Sequence, residues 1–394
     1  MREARLDALV LFQPEAFQYA IGAPAGVATM WGRAGAAIAL VPGDAHLPLG
    51  AIVSDHAAPI VQQKASHIDL RTHRIWIDAV DLSGVDSAYR RSAAVGPRPE
   101  TFNRAACFHL LSDLLKDRGL KGGRIGVDLE FMPAADFEAL KVLITDVQWV
   151  DGSLVLRRLR SVKTSVEIER LRRAAHAAEG GLERMVQAVR PDASVAELST
   201  AWKAGAHDTA RAGGFALSGH WDFISVGPNL SDGDAKITPD ALIKADVGTL
   251  VEGYSSDGAR TFTFGRASQL AQDIFNALEA AFDAGLEQIK PGHTFGKVHD
   301  AMLRSMRRDG FGEYYRGHFG HSVGGGAGIE EWPFFSANNS ERIETDMVVA
   351  LEAPFYGQNF GALMIEDQFL VTQNGTECMN RLPRGLHDLS RHRD

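Results

Sequence analysis

The segment 244–262 constrains this chain most, because it sets two aspartates into runs of otherwise apolar residues. Asp246 lies in the first run and Asp257 in the second, and Glu252 and Gly253 between the runs are typical of a tight turn. Burying an ionised carboxylate in an apolar strand is costly unless a partner compensates its charge. The segment therefore predicts two neighbouring strands that carry a pair of functional carboxylates.

Three further candidate ligands lie downstream in strand-like runs, namely His321, Glu352 and Glu366. Taken singly, each of the five residues is more typical of a structural role, such as a cap, a core histidine or an ion-pair member. Taken together, four carboxylates and one imidazole suit two divalent ions of manganese, cobalt, iron or zinc with bridging carboxylates. Two such ions can activate a shared water and polarise a carbonyl.

Composition narrows the class of protein. A length of 394 residues suggests two or three domains, and a net charge of −9 without a long basic tract argues against nucleic acid as a partner. We expect a cytoplasmic protein, because we find no signal peptide and no apolar run of about 18 residues that could span a membrane. Cys107 and Cys378 form no CxxC pair and are predicted to be free, buried thiols.

The first part of the chain alternates strand and helix patterns, which predicts an α/β domain over residues 1–157. The second part, 158–394, is predicted to be a separate catalytic domain that opens with a long helix beginning at Ser165. The charged segment 156–163 lies at the predicted boundary between the two domains, and its arginine cluster at 157–160 is interpreted as a solvated helix face. The predicted elements of the first domain are strands at 7–13, 36–41, 124–128 and 147–150 and helices at 102–116 and 134–143.

The second part contains an internal sequence repeat. Pro191 and Pro291 each follow a predicted helix, and each precedes a turn that leads into another helix, at 195–210 and 295–308. This repetition predicts two halves built from a helix pair and following strands, related by a pseudo-twofold axis.

Six short motifs carry a resemblance to a known family. They comprise residues 226–229, 245–248, 253–262, 320–324, 351–354 and 365–367. In these motifs the chain resembles the creatinase/prolidase/aminopeptidase P family, whose catalytic domain has the pita-bread fold of methionine aminopeptidase. The resemblance covers about residues 155–390, and it implies an α/β N-terminal domain followed by an α+β pita-bread domain.

The resemblance also implies roles for the five ligands. Asp246 would bind one metal, His321 and Glu352 would bind the other, and Asp257 and Glu366 would bridge the two. Glu352 would in addition serve as the general base. The implied activity is hydrolysis of an amide-like bond by metal-bound hydroxide, as in an Xaa-Pro dipeptidase or aminopeptidase. A homodimer acting on a dipeptide or another small molecule is expected, with Trp31 a candidate to reach the partner's site.

The chain departs from the peptidases where they handle substrate. No histidine follows the Gly-Pro-Asn motif, and an arginine expected two residues before Glu366 is replaced by Met364. A histidine expected seven residues after His321 falls on Gly328, or near Glu330 if segment 324–328 carries an insertion. A further histidine expected at Gly317 has only His318 beside it. Residues that could substitute are His220, Asp232, Asp234, Tyr315, His318, Glu330 and Glu331.

These departures leave alternatives open. We expect His318 and Glu330 to join Glu352 in catalysis, and His220, Tyr315 and Trp332 to contact the substrate. The same fold could instead act on a small non-peptide substrate, as a creatinase-like hydrolase or a sulfonium lyase. A third alternative is a non-enzymatic member that binds a protein partner through the same cleft, which the complete ligand set disfavours.

Overall fold

The computed structural model describes residues 1–77, 97–326 and 330–391 and divides into two compact units, Met1–Leu159 and Arg160–Asp394. The division lies close to the expected boundary between 157 and 158. It falls inside a helix, Ser153–Ser161, which contains the arginine cluster interpreted from the sequence as a helix face. Each unit has its own buried apolar clusters.

The first unit is built on a six-stranded mixed sheet with the strand order β4-β3-β2-β1-β5-β6. Side chains of β1 alternate between two apolar clusters, with Val10 packing beside Phe108 on one face and Leu9 beside Phe17 on the other. The strands are β1 (Ala8–Leu11), β2 (Ile38–Pro42), β3 (Gly50–Ser54), β4 (Asp69–His73), β5 (Arg124–Val127) and β6 (Gln148–Asp151). The α-helices are α1 (Pro14–Ile21), α2 (Ala58–Lys64), α3 (Arg104–Asp117), α4 (Ala134–Leu143) and α5 (Ser153–Ser161).

Asp128, directly after β5, is the most unusual carboxylate of this unit. Its side chain is buried and accepts hydrogen bonds from the backbone amides of Phe12 at 3.0 Å and Gln13 at 2.8 Å. Burial raises the pKa of Asp128 to about 7 despite these bonds. The protonated form is therefore favoured in the folded protein over a pH range in which an unfolded aspartate is ionised.

This elevated pKa predicts a pH-dependent contribution to stability. Asp128 stabilises the fold fully below the pKa of an unfolded aspartate, about 4, and the contribution is lost as the pH rises through about 7. We expect the free energy of unfolding of the wild type, relative to Asp128→Asn, to fall by on the order of 1–4 kcal/mol between pH 4 and pH 8. Urea unfolding across this range measures it. The exposed Asp44→Asn variant serves as control, and a difference independent of pH at position 128 would contradict the prediction.

The second unit is built on a ten-stranded sheet whose main path is β12-β11-β13-β14-β10-β8-β7. The strands on this path are β7 (Gly219–Val226), β8 (Ala241–Val251), β10 (Ala259–Phe264), β11 (His318–Ser322), β12 (Glu331–Ser336), β13 (Val348–Gly357) and β14 (Gly361–Thr372). Off the path, β9 (Tyr254–Ser255), β15 (Gly375–Cys378) and β16 (His387–Asp388) pair with β8, β14 and β10. The helices are α6 (Ser165–Ala188), α7 (Val195–Ala212), α8 (Gln269–Leu286) and α9 (Phe295–Arg308).

The two helix pairs of this unit repeat one local arrangement. The turn between α6 and α7 holds Asp192 at φ 61°, and the turn between α8 and α9 holds Gly292 at φ 88°. The following helices are capped by Ser194 and Thr294, whose side chains accept a hydrogen bond from the backbone amide three residues on. Each pair packs on strands of its own half, with α6 on β8 and α7 on β7, and with α8 on β13 and β14 and α9 on β12 and β11. The sequence repeat at Pro191 and Pro291 therefore corresponds to a repeated structural unit.

One sequence-based expectation about this unit is confirmed and another needs correction. The long helix α6 begins at Ser165 as expected, and Thr164 and Glu167 form a reciprocal capping box at its N-terminus. Cys378 is exposed, whereas Cys107 is buried as expected, and both are free. Among the helices of the described residues, none combines the length and apolar character that crossing a bilayer requires.

Candidate metal centre

Strand register brings the predicted carboxylates to one face of the second sheet. Asp246 of β8 pairs with Ala259 of β10, Ala259 pairs with Glu366 of β14, and Glu366 pairs with Glu352 of β13. Paired residues in an antiparallel sheet project to the same side. Asp257 precedes Ala259 by two residues, and its backbone amide donates to the buried side chain of Gln368 at 3.2 Å.

The imidazole of His321 joins this face from β11. His321 pairs with Ala350 of β13, two residues before Glu352, and so shares its side of the sheet. The close approach of the two strands depends on Gly320, which has φ 117° and whose added Cβ would lie 2.0 Å from the carbonyl oxygen of Ala350. A glycine beside the histidine is therefore a requirement of the backbone path.

The orientation of His321 leaves one nitrogen available to a cation. Its Nδ1 donates to the carbonyl of Ser322 at 2.9 Å, and burial lowers the pKa of the ring, so the neutral ring presents an unprotonated Nε2. That Nε2 lies 3.5 Å from Oδ2 of Asp257. Together with Glu366, these residues offer three ligand atoms within 4.8 Å of one another. An imidazole nitrogen and two carboxylate oxygens fit a divalent ion of the manganese-to-zinc group.

Three of the four carboxylates are destabilised in their charged form. Burial raises the pKa of Asp246, although the charge of Lys244 opposes the rise. Burial raises the pKa of Asp257 well above its ordinary value, and the neighbouring charges of Asp246 and Glu352 raise it further. Burial likewise raises the pKa of Glu366 well above normal, with the charge of Asp257 adding to the effect. Two buried carboxylates that repel each other can both be ionised near neutral pH only when a cation lies between them.

Glu352 has a different environment, because two cationic side chains contact it. Its Oε1 lies 3.1 Å from Nδ1 of His318 and 3.4 Å from Nη2 of Arg316. Burial raises the pKa of Glu352, but the bond from His318 and the charge of Arg316 outweigh burial and lower it. The hydrogen bond to Glu352 in turn raises the pKa of His318. Glu352 is thus an ionised carboxylate bonded to a histidine that favours its protonated form.

Lys244 was not predicted from the sequence. It precedes Asp246 by two residues on β8, projects to the same side, and places Nζ 3.1 Å from Oδ2 of Asp246. Its side chain is only 7% exposed. The available signal was a lysine inside the apolar run Leu242–Val247, where a charge demands a partner.

One predicted substrate contact, His220, needs correction, and a second, Tyr315, stays a prediction. His220 pairs with Thr249, and Phe223 pairs with Asp246. Because His220 and Phe223 are three residues apart on the strand, their side chains project to opposite faces, and His220 faces the helix side of the sheet. There its ring lies 6.0 Å from that of Trp202 of α7 and not beside the carboxylates. Tyr315 is 65% exposed, and its ring lies 6.4 Å from that of His299.

Two other aromatic side chains lie on the carboxylate side of the sheet. Trp221, next to His220, faces the carboxylate side and donates from Nε1 to the Oγ of Ser255 at 3.0 Å. Tyr356 of β13 lies with its ring 5.8 Å from both Nζ of Lys244 and the guanidinium of Arg316. Strand alternation in a sequence indicates which residues share a face, but only the register with a neighbour shows which face that is.

The loop and strand after His321 bring further predicted residues near the centre. Glu330 is largely exposed, with Oε2 3.7 Å from Nε2 of His318. Glu331 forms an ion pair with Arg160 and is therefore not a free catalytic group. Trp332 is half-buried and shares its side of β12 with Phe334, whose ring lies 5.3 Å from that of His318. The expected insertion at 324–328 includes residues 327–329, which lie outside the described part of the chain.

Comparisons with known families agree with this architecture. The model of metallopeptidase family M24 matches residues 169–373, more than half of the chain. The model of the creatinase/prolidase N-terminal domain matches residues 76–162. An α/β N-terminal domain followed by a pita-bread catalytic domain, the fold class expected from the sequence, is thereby confirmed.

Relatives in sequence are peptidases of undetermined specificity. The uncharacterized peptidase YqhT of Bacillus subtilis is 30% identical over 284 residues, which cover 70% of this chain and 77% of YqhT. The uncharacterized peptidase SAR1786 of Staphylococcus aureus is 28% identical over 236 residues, covering 58% of this chain and 65% of that protein.

Solved structures share the fold over almost the whole chain. An Xaa-Pro dipeptidase from Bacillus anthracis has a TM-score of 0.77 at 21% identity, covering 98% of this chain and 96% of that one. The dipeptidase PepE from Mycobacterium ulcerans has a TM-score of 0.75 at 23% identity, covering 98% and 94%. At such identities the similarity is one of fold.

Proposed function

Because the chain belongs to metallopeptidase family M24 and is a peptidase-type hydrolase, we propose that it cleaves the peptide bond of Xaa-Pro dipeptides in a metal-dependent reaction. The observation that carries the proposal is the cluster of Asp257, His321 and Glu366, flanked by Asp246 and Glu352 on the same sheet face. Buried carboxylates beside a neutral imidazole have a physical explanation if the protein holds a divalent cation.

The donor set defines what the cation would do. A divalent ion held by Asp257, His321 and Glu366 would polarise the peptide carbonyl and make water more acidic. The resemblance implies two ions drawn from manganese, cobalt, iron and zinc, and the three clustered ligand atoms support the proposed binding of one of them.

Two side chains have the charge states that proton transfer needs. Glu352 is ionised, because its contacts with His318 and Arg316 lower its pKa, and it can accept a proton from the attacking water. His318 has a raised pKa and can donate a proton to the leaving amine or bond to the developing oxyanion. The exposed Glu330, 3.7 Å from His318, is suited to keep that histidine charged.

The test is proline release from a panel of Xaa-Pro dipeptides by protein loaded with Mn(II), Co(II) or Zn(II). We expect turnover of Xaa-Pro substrates that is abolished by chelation and restored by metal. We expect Glu352→Gln to lower kcat by at least about 100-fold, the contribution typical of a general base. Glu313→Gln is the matched control, since this residue is exposed and is not among the clustered ligands or the side chains that contact Glu352, and it should retain wild-type turnover. Metal binding without release of proline from any member of the panel would contradict the peptidase proposal.

A second candidate function is supported by one feature of the site. Met364, two residues before Glu366, stands where the resemblance expects an arginine, and its Sδ lies 3.7 Å from the hydroxyl of Tyr356. A substrate that is small and not a peptide would have no need of that arginine. Turnover of creatine-like or sulfonium compounds, with no cleavage of dipeptides, would favour this candidate.

We also propose a homodimer located in the cytoplasm. The proposal follows the resemblance, and the exposed side chains of Met30 and Trp31 in the first unit offer an apolar surface for association. Sedimentation of the purified protein at micromolar concentration tests it, and a monomer mass would contradict it.

A further inference from the structure

We propose that the centre binds one divalent ion tightly, at Asp257, His321 and Glu366, and that the ammonium group of Lys244 takes the place of a second ion beside Asp246. This inference rests on the metal dependence proposed above and departs from the expectation of two ions. The five predicted ligands divide into two groups. Asp246 and Glu352 contact cationic side chains of the protein, whereas Asp257, His321 and Glu366 form the compact group of three ligands.

Lys244 is built into the strand that carries Asp246. Its backbone pairs with Thr261, two rows along the sheet from the row that joins Asp246, Ala259 and Glu366, so the two rows share one face. With 7% of its side chain exposed, its ammonium group has given up most of its hydration and requires a counter-charge within reach. Oδ2 of Asp246, at 3.1 Å, supplies that charge. A second dication bound to Asp246 would compete with this ammonium group for the same carboxylate.

Glu352 is compensated in a comparable way. Arg316 approaches its Oε1 at 3.4 Å and His318 at 3.1 Å. Arg316 and Lys244 both lie 5.8 Å from the ring of Tyr356, so the two cations flank one aromatic side chain at the edge of the carboxylate cluster. The two carboxylates that contact cationic side chains, Asp246 and Glu352, thus lie outside the compact group of three ligands.

The balance of charge favours one ion. Asp246, Asp257, Glu352 and Glu366 together carry four negative charges when ionised. Lys244 and Arg316 supply two positive charges, and one divalent ion supplies the remaining two, while His318 can be balanced by Glu330. A second divalent ion would leave two uncompensated positive charges in a buried site, which is strongly unfavourable.

The stoichiometry of bound Mn(II) tests this inference without reference to activity. We expect wild-type protein, loaded with Mn(II) and separated from free ion, to contain one equivalent by elemental analysis. Its electron paramagnetic resonance spectrum should be that of an isolated Mn(II), without the exchange coupling of a pair. We expect Lys244→Met, which keeps the length of the side chain and removes its charge, to bind a second equivalent. The gain in affinity for the second ion should be at least roughly tenfold, because an ammonium–dication repulsion at a few ångströms is removed.

Lys203→Met is the matched control. Lys203 also pairs with an aspartate, Asp222, at 3.1 Å, but Asp222 lies on the helix side of the sheet. This variant makes the same change in charge outside the centre, and we expect it to retain one equivalent of Mn(II).

The outcomes separate this inference from the proposed function. Two equivalents of similar affinity in the wild type, with a coupled spectrum, would overturn the role of Lys244, and the peptidase proposal would stand if dipeptides are cleaved. A folded Lys244→Met variant that gains no second ion would also overturn it. One equivalent together with no dipeptide cleavage would support the inference and contradict the proposed function. The wild-type spectrum alone decides the stoichiometry if the variant fails to fold.

Discussion

The Asp257→Asn variant is expected to lose tight metal binding and at least about 100-fold in kcat. Residues that merely support metal ligands typically contribute 10–100-fold, and a residue that supplies a ligand atom should contribute more. Asp257 is 4% exposed and provides one of the three clustered ligand atoms. An amide retains the shape of the side chain but cannot supply the negative charge.

The same substitution should raise the stability of the metal-free protein. Burial and the charges of Asp246 and Glu352 raise the pKa of Asp257, so its ionised form opposes folding. The stability of the metal-free wild type is therefore lost as the pH rises through the elevated pKa, whereas the variant has no such loss. We expect the Tm of metal-free Asp257→Asn to equal or exceed that of metal-free wild type at pH 8, with the difference closing as the pH falls towards 4.

Thermal unfolding with a chelator and with Mn(II) measures both effects. Metal at 100 times its Kd should stabilise the wild type by about 2.7 kcal/mol, and the variant should show little of this shift. Asp222→Asn, on the helix side of the sheet, is the control and should keep the wild-type response to metal. If Asp257→Asn retained the full metal-induced shift, Asp257 could not be a ligand.

Much of the centre could be predicted because its residues violate the apolar pattern of their strands. Asp246 and Glu366 interrupt runs of buried residues, and a charge in such a run requires a functional or structural partner. The ladder from Asp246 through Ala259 to Glu366 then brings together residues that lie far apart in the sequence. The local apolar pattern therefore predicts the strands, whereas the register between strands brings the ligands together.

The error at His220 arose because strand register had to be assumed. His220 and Trp221 are neighbours on β7, and only the pairing of Phe223 with Asp246 shows that the tryptophan faces the carboxylates. Protonated Lys244 has no electron pair to offer a metal, so a pattern of candidate ligands in the sequence does not indicate it.

The largest effect on stability is expected from Arg260→Met, which removes a buried cation directly behind the centre. The Nη2 of Arg260 lies 2.5 Å from Oδ1 of Asp367, and both side chains are nearly inaccessible, at 3% and 2% exposure. The guanidinium also donates to the backbone carbonyls of Glu366 at 2.8 Å and Leu382 at 2.7 Å. The substitution therefore leaves a buried carboxylate and several carbonyls without this donor. We expect the free energy of unfolding to fall by about 3–5 kcal/mol.

Two further variants separate the loss of charge from the loss of packing. Arg384 also contacts Asp367, at 3.1 Å, but is 30% exposed, so Arg384→Met should cost only about 1 kcal/mol or less. The double variant Arg260→Met with Asp367→Leu should recover a substantial part of the loss, because replacing both partners of a buried ion pair by apolar groups is often nearly neutral. Denaturant unfolding of the wild type, Arg260→Met, Asp367→Leu and the double variant gives the coupling free energy of the pair.

The same cycle has a consequence for metal binding. Arg260 bonds to the backbone carbonyl of Glu366, a proposed ligand, so its loss should weaken Mn(II) binding even under conditions in which Arg260→Met remains folded. The double variant removes the unpaired charge of Asp367 but does not restore the bond to Glu366. Stability that recovers while Mn(II) affinity stays low would assign Arg260 a positioning role at the centre, whereas recovery of both would limit it to a structural one.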